Sequence, residues 1–260
     1  MVAVCRLFGQ HAHPEFDLCE PLCTAERSLR FLSHQHPHGW GIGWWEAGTP
    51  LVRKGLLPAH SDENFVAAAR GARSAVVIAH VRDASIGPVT PANTHPFAYA
   101  RWLFAHNGTV GRFKRSRRVR EAILAEVDPD LRPLVQGDTD SERLFLLFLG
   151  RLRARAPLDG ASASQVRRAL AETTEVVAAI ADPGAEKPSS LNLLVSDGRV
   201  LVATRRGRTL HLATNAGPRH ALVVASEPVG NGRTRWEDVP EGGFVATEDG
   251  IAVHRGALLG

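Results

Sequence analysis

This chain of 260 residues predicts a layered α+β fold. Three observations carry that expectation. Apolar runs of strand length recur from the N-terminus to Ala105. A helical block follows from Arg117 to Ala181. Strand-length runs joined by Asp-Gly-type turns then return as far as His254. Strands, then helices, then strands again fit stacked layers better than the βαβ alternation of a parallel sheet.

The elements follow in chain order. Residues 1–9 read as a strand, and Ala25–Ser33 has a short helical pattern. Trp40–Trp45 is a glycine-spaced aromatic strand, with Leu51–Lys54 as its hairpin partner. Asp62 is placed to cap a helix running to Arg70. Ala75–Val81 is a continuous apolar run, the pattern of a strand buried on both faces. Trp102–Ala105 is similar and is expected to end at the turn signal His106-Asn107-Gly108. Arg117–Glu126, Asp140–Arg153 and Gln165–Ala181 read as helices, the second capped by Thr139 or Asp138. Six more strands are expected at Leu191–Val195, Val200–Ala203, Thr209–Leu212, Ala221–Ser226, Gly243–Thr247 and Ile251–His254. No repeat or low-complexity linker divides the chain, so residues 1–260 are expected to form one domain.

Hydrophobic residues make up 44% and charged residues 22%, ordinary for a soluble globular protein. No apolar run approaches the ~20 residues that span a bilayer. The N-terminus carries no basic stretch ahead of a long apolar segment, so no secretory signal is read and a cytoplasmic location is expected. Three cysteines, an odd and low count, argue against a disulfide framework. Only three of the 31 basic residues are lysines, which with abundant Ala, Gly and Pro suggests a GC-rich bacterial genome.

Five separated segments hold the candidate chemistry: Cys5-Arg-Leu-Phe-Gly; His38-Gly-Trp-Gly-Ile-Gly; His80-Val-Arg-Asp-Ala-Ser; Asn93-Thr-His-Pro-Phe with Phe104-Ala-His-Asn-Gly; and Gly137-Asp-Thr-Asp-Ser-Glu. A cysteine near an N-terminus can be a nucleophile if its own α-amine is the base, since that amine titrates near pH 7.7–8.0. A thiolate attacking an amide needs oxyanion donors. Asn107 offers a side-chain amide and Gly108 a backbone N–H with no side chain in the way. An amino-acid substrate needs a carboxylate clamp and an ammonium partner. Arg82, at the end of a buried strand, suits the first, and Asp140, near a helix start, suits the second.

In this order, from Cys5 to about Phe148, the segments resemble the class II glutamine amidotransferases, especially the stand-alone single-domain bacterial members. A weaker echo lies at Ser226-Glu-Pro-Val and Trp236-Glu-Asp-Val-Pro. The resemblance implies a four-layer αββα N-terminal-nucleophile hydrolase sandwich with two stacked, mainly antiparallel sheets. It implies Cys5 as nucleophile and its freed α-amine as base. It implies Arg82 on the substrate α-carboxylate with Ser85 nearby, Asp140 on the α-ammonium, and Asn107 and Gly108 as oxyanion hole. His95 lies in the His-Pro segment lining the site, either as a structural hydrogen-bonding residue or as a substrate contact. The implied reaction is hydrolysis of glutamine or a γ-glutamyl amide through a γ-glutamyl thioester, with no cofactor.

Two departures from the family pattern stand out. His38 occupies a position where relatives usually carry an acidic residue. Cys5 is preceded by Met-Val-Ala-Val, and an internal cysteine has only an inert amide nitrogen. A short propeptide could be cleaved. The preferred reading is that Val4 marks the true start, because a GTG codon initiates with methionine, whose removal would expose Cys5. Met1–Val4 are then expected to be absent from the mature chain.

The substrate reading leaves three versions: a glutaminase feeding ammonia to a separate synthase, a γ-glutamyl conjugate amidase of the ergothioneine-pathway type, or a catalytically silent homologue that binds a partner. His11, His13, His34, His36 and His38 with Cys19 and Cys23 lack a regular second ligand pair, so no metal is expected. The run Arg112–Arg120 holds six basic residues in nine and is read as a solvated loop and helix start rather than a nucleic-acid site. No membrane partner is expected, and oligomeric state is left open.

Overall fold

A computed structural model describes residues 5–12, 18–214, 222–232, 234–250 and 252–259. Chain order places β1 (Arg6–His11) first, then a π-helical turn (Glu20–Thr24) and α1 (Leu29–Leu32). Next come β2 (Trp40–Glu46), β3 (Thr49–Gly55), α2 (Glu63–Gly71), β4 (Val76–Val81), β5 (Phe97–Tyr99) and β6 (Trp102–Thr109). The helical block is α3 (Arg117–Glu126), α4 (Asp140–Arg153) and α5 (Ala163–Ala181). The last strands are β7 (Ser190–Ser196), β8 (Val200–Thr204), β9 (His211–Thr214), β10 (Leu222–Ala225), β11 (Glu237–Asp238), β12 (Gly243–Glu248) and β13 (Ala252–Ala257).

The strands form two sheets, in the orders β11-β9-β10-β1-β4-β2-β3 and β13-β12-β8-β7-β6-β5, with every pair antiparallel. Side-chain parity shows how they stack. Val76 and Ile78 of β4 pack with Leu103 and Ala105 of β6 in a core between the sheets. The alternate residues Val77, Ala79 and Val81 turn the other way, onto Leu29, Leu32 and Phe65 of α1 and α2. Trp102 and Phe104 of β6 likewise face Leu144, Phe148 and Leu170 of α4 and α5. Both strands are buried on both faces, which is why they read as unbroken apolar runs. The result is the predicted αββα sandwich.

Some boundaries differ from the sequence reading. The helix expected over Ala25–Ser33 is confined to Leu29–Leu32, because the Ser28 side chain accepts from Phe31 N and sets the start there. β6 does not end at His106. It continues to Thr109, with Asn107 opposite Asn192 and Gly108 opposite Leu191, so the Asn-Gly pair is strand and not turn. Long-range pairing with β7 overrides the local turn signal. The expected strand over residues 1–9 begins at Arg6, and Met1–Val4 lie outside the described residues. No helix among the described residues is long and apolar enough to cross a membrane.

Candidate active site

The same parity places the candidate site. Leu7 faces the core between the sheets, so Cys5, two residues earlier, is set toward that side. Leu103 and Ala105 face the same core from the other sheet, and Asn107 continues their row. Arg82 follows His80, Ile78 and Val76 at the end of β4, beside the start of β1, where Arg6 pairs with Val81. Cys5 and Arg82 lie close enough for the guanidinium to act on the thiol, and Asn107 continues the row that faces the same core from the other sheet.

Cys5 is held by the backbone of Asp83. The Asp83 N–H donates to Sγ at 3.1 Å, and the thiol lies 3.4 Å from the Asp83 carbonyl. No imidazole or carboxylate hydrogen-bonds the sulfur among the described residues. Burial pushes the thiol up to about 11, against the opposing pull of the Asp83 N–H. The start of β1 is fixed from the C-terminal half. Ser226 Oγ accepts from Leu7 N at 3.1 Å, Ser226 N donates to Leu7 O at 3.0 Å, and Glu227 ion-pairs with Arg6. The Ser226-Glu227 part of the weak C-terminal echo is therefore a clamp on the strand that follows Cys5.

Arg82 is 3% exposed. Its guanidinium donates to the carbonyls of Pro88 and Ile86, each at 2.9 Å, and of Gly87 at 3.3 Å. These three contacts leave part of its five-donor fork for a ligand. They also wrap the loop after β4 around the side chain. Ser85 lies exposed on that loop. Asn93 ties the loop down, donating to Pro88 O at 3.1 Å and accepting from Asp138 N at 2.8 Å. No role for Asn93 is legible in the sequence, because its partners are backbone groups, one of them 45 residues along the chain.

His38 joins the same loop. Its Nδ1 accepts from Ala84 N at 3.1 Å and lies 3.1 Å from Asp83 Oδ1. The residue that departs from the family pattern thus holds Ala84 through its ring and Arg82 O through its own N–H at 3.0 Å.

Asn107 is 2% exposed, and its Oδ1 is buried with no hydrogen-bond partner. An orphaned buried amide atom is costly and calls for an explanation. Leu191 N donates to Arg206 O, away from β6. The antiparallel alternation then turns its partner Gly108 away from β7 as well, at a point β5 does not reach. Gly108 is also the only residue that fits. A Cβ there would lie 1.9 Å from Ser190 O and 2.6 Å from His106 Nε2.

The Gly137-Asp-Thr-Asp-Ser-Glu segment is a helix N-terminus. Thr139 is the N-cap and accepts from Glu142 N at 3.3 Å. The Glu142 carboxylate reaches back to Gln136 N at 2.9 Å and Gly137 N at 2.8 Å. Asp140, at the first helical position, accepts from Val110 N at 2.8 Å through Oδ2 and from Ser141 N at 2.9 Å through Oδ1. Asp140 is thereby locked beside the end of β6. His106 makes the second tie between the same elements, with Nδ1 2.9 Å from Ser141 Oγ and Nε2 2.9 Å from Ser190 O.

His95 packs against His80 at 4.3 Å and Phe97 at 4.8 Å between ring centroids, and both its ring nitrogens are buried without partners. Its backbone carbonyl presses on Gly41, where a Cβ would meet it at 2.0 Å. No group of three or more His, Cys, Asp or Glu residues able to hold a metal ion occurs among the described residues.

A cysteine at the head of a strand, set between two antiparallel sheets that are covered on both sides by helices, defines the N-terminal-nucleophile class of amide-cleaving enzymes. Residues 4–222 match the class-II glutamine amidotransferases, and the chain belongs to that family. It is 31% identical over 217 residues to the gamma-glutamyl-hercynylcysteine sulfoxide hydrolase of Mycobacterium tuberculosis, covering 83% of this chain and 77% of that one. It is 29% identical over 241 residues to a probable glutamine amidotransferase of Saccharomyces cerevisiae, covering 78% of this chain and 67% of that one. Among solved structures, a glutamine aminotransferase class-II domain protein from Silicibacter pomeroyi superposes with a TM-score of 0.69 at 23% identity, covering 98% of this chain and all of that one.

Proposed function

We propose that this enzyme hydrolyses a γ-glutamyl amide through a Cys5 thioester, and that the mature chain begins at Cys5 as a single catalytic domain. The observation that carries the reading is the setting of Cys5. Among the described residues its sulfur hydrogen-bonds to backbone groups and to no side chain, and burial holds the thiol near 11. No side-chain base touches it among the described residues. The freed α-amine is the base this arrangement lacks.

The steps follow. The α-amine takes the thiol proton, and Sγ attacks the γ-carbonyl carbon. The oxyanion is met by the Asn107 side-chain amide and the Gly108 N–H. Arg82, steadied by three carbonyls, holds the substrate α-carboxylate with Ser85 beside it. Asp140 takes the α-ammonium, and His95 lines the wall. The intermediate collapses, the α-ammonium of Cys5 protonates the departing amine, and the γ-glutamyl thioester remains. Water then cleaves the thioester, giving glutamate and the free thiol.

Incubation with glutamine should release glutamate and ammonia in equal amounts, and Cys5→Ala should abolish this. Retained turnover in Cys5→Ala would refute the reading. The second reading, hydrolysis of a larger γ-glutamyl conjugate, is favoured by the Mycobacterium tuberculosis relative, whose name describes such an activity. Delivery of ammonia to a separate synthase is the remaining version.

A further inference from the structure

A cavity of about 700 Å3 lies at the end of β6, past Asn107 and Gly108. Its inner wall includes Thr109 and Val110, the residues directly after Asn107-Gly108. Val110 is also the residue whose N–H holds Asp140. Arg206, Gly207 and Arg208 also line it. That segment bridges the two halves of the site. Asn192, opposite Asn107, donates to Arg208 O and Thr209 O at 3.2 and 2.9 Å. Thr209 Oγ1 in turn donates to Ser226 O, and Ser226 clamps Leu7 beside Cys5.

The cavity is strongly cationic. Arg112, Lys114, Arg115, Lys187, Arg206 and Arg208 line it, against the carboxylates of Glu186 and Glu241. Two of the cations are structural. Arg206 pairs with Asp182 at 2.6 Å, and Arg112 donates to the carbonyls ending α5. Lys114, Arg115, Lys187 and Arg208 have no ion-pair partner among the described residues. Arg208 Nε is buried without any hydrogen-bond partner among the described residues. Burial chiefly lowers the proton affinity of His106, and the Arg208 charge adds to it. The basic run Arg112–Arg120 is therefore divided. Its first half faces the cavity, while Arg117 pairs with Glu121 along α3 and Arg120 caps the Phe113 carbonyl.

An enzyme that released only ammonia would need no such space, since ammonia fills about the volume of one water, ~30 Å3. A cavity of this size suits a small organic ligand. When an amino acid is the departing amine, its α-carboxylate sits two bonds from the scissile nitrogen.

We infer that this cavity receives the departing amine of a γ-glutamyl amino acid or short γ-glutamyl peptide, with Arg208 and Lys114 binding its carboxylate. The inference rests on the γ-glutamyl amidase reading and names the substrate class for that site.

Calorimetric titration of Cys5→Ala protein tests it without turnover. The probes are γ-glutamylglycine and γ-glutamylglycinamide, which differ by one charge. The acid should bind about tenfold more tightly, and the advantage should shrink as salt is raised. Arg208→Gln should erase the difference and Arg208→Lys should restore part of it. Lys114→Ala with Arg115→Ala, both exposed, should reduce it without touching the fold. Equal affinities for the two probes would overturn the inference, even if glutamine is hydrolysed by the unsubstituted enzyme. A clear preference for the acid in a protein that never cleaves glutamine or γ-glutamylglycine would keep the cavity and discard the amidase reading.

Discussion

Asn107 and Asn192 face each other across β6 and β7 with opposite fates. Asn192 is fully used: Oδ1 accepts from Arg206 N at 2.9 Å, and Nδ2 donates to two carbonyls. Asn107 has a buried Oδ1 with no partner. A matched pair of substitutions separates function from structure. Asn107→Ala should lower kcat by ~100-fold or more with little change in Tm. Asn192→Ala should cost about 1–3 kcal/mol in urea unfolding, because it orphans three backbone groups. Equal loss of stability in both variants would remove the distinction.

Gly108 is a structural requirement as well as a candidate site residue. With a Cβ 1.9 Å from Ser190 O, Gly108→Ala should cost about 3 kcal/mol or more. At Gly71, the end of α2, an added Cβ would meet nothing within 4 Å, so Gly71→Ala should be neutral or stabilise by ~0.5–1 kcal/mol. Thermal melts of the two variants should move in clearly different ways.

Stability should fall in mild acid. Burial lowers His80 to about 3 and His36 to about 4, and lowers His95 and His106 as well. These groups are neutral in the folded state but titrate near 6.5 when unfolded. Below pH 6.5 the unfolded chain binds more protons, so the stability present above that pH is lost as pH falls toward the folded values. Each such histidine contributes a slope of at most about 1.4 kcal/mol per pH unit in that window. Urea midpoints should be flat from pH 8 to 7 and drop steadily from pH 6.5 to 5. A flat profile down to pH 5 would contradict the burial of neutral imidazoles.

The turn that presents Asp140 gives a further contrast. Asp140→Asn should raise KM for glutamine by roughly tenfold or more, the worth of a charge-assisted hydrogen bond, with a smaller effect on kcat. Thr139→Ala removes the cap and should cost ~1 kcal/mol of stability with a lesser change in KM. Steady-state kinetics beside urea unfolding reads both.

Much of this was legible in the sequence where the signal is local. α3 and α4 fall on the residues their periodicity and caps define, because Ser116 and Thr139 accept from the N–H three residues on. What the sequence hid is set by distant partners. The length of β6 depends on β7, and β5 and β11 are short strands shaped by their neighbours. The candidate residues were visible as types in a pattern, but their scaffolding was not. Asn93, Glu142, Ser226 and Glu227 hold the site through backbone groups or ion pairs that no periodicity announces. The division of the basic run between cavity and helix face likewise appears only in three dimensions.

Everything proposed for the site depends on Cys5 acting through its own freed α-amine. Intact-mass measurement of protein purified from its native host, before and after reaction with the glutamine-mimicking electrophile diazo-oxo-norleucine, reads that dependence at the residue itself. The expected result is a mature chain beginning at Cys5, carrying one adduct per chain that is absent in Cys5→Ala. A chain that retains Val2 or Ala3 and still hydrolyses glutamine would contradict it.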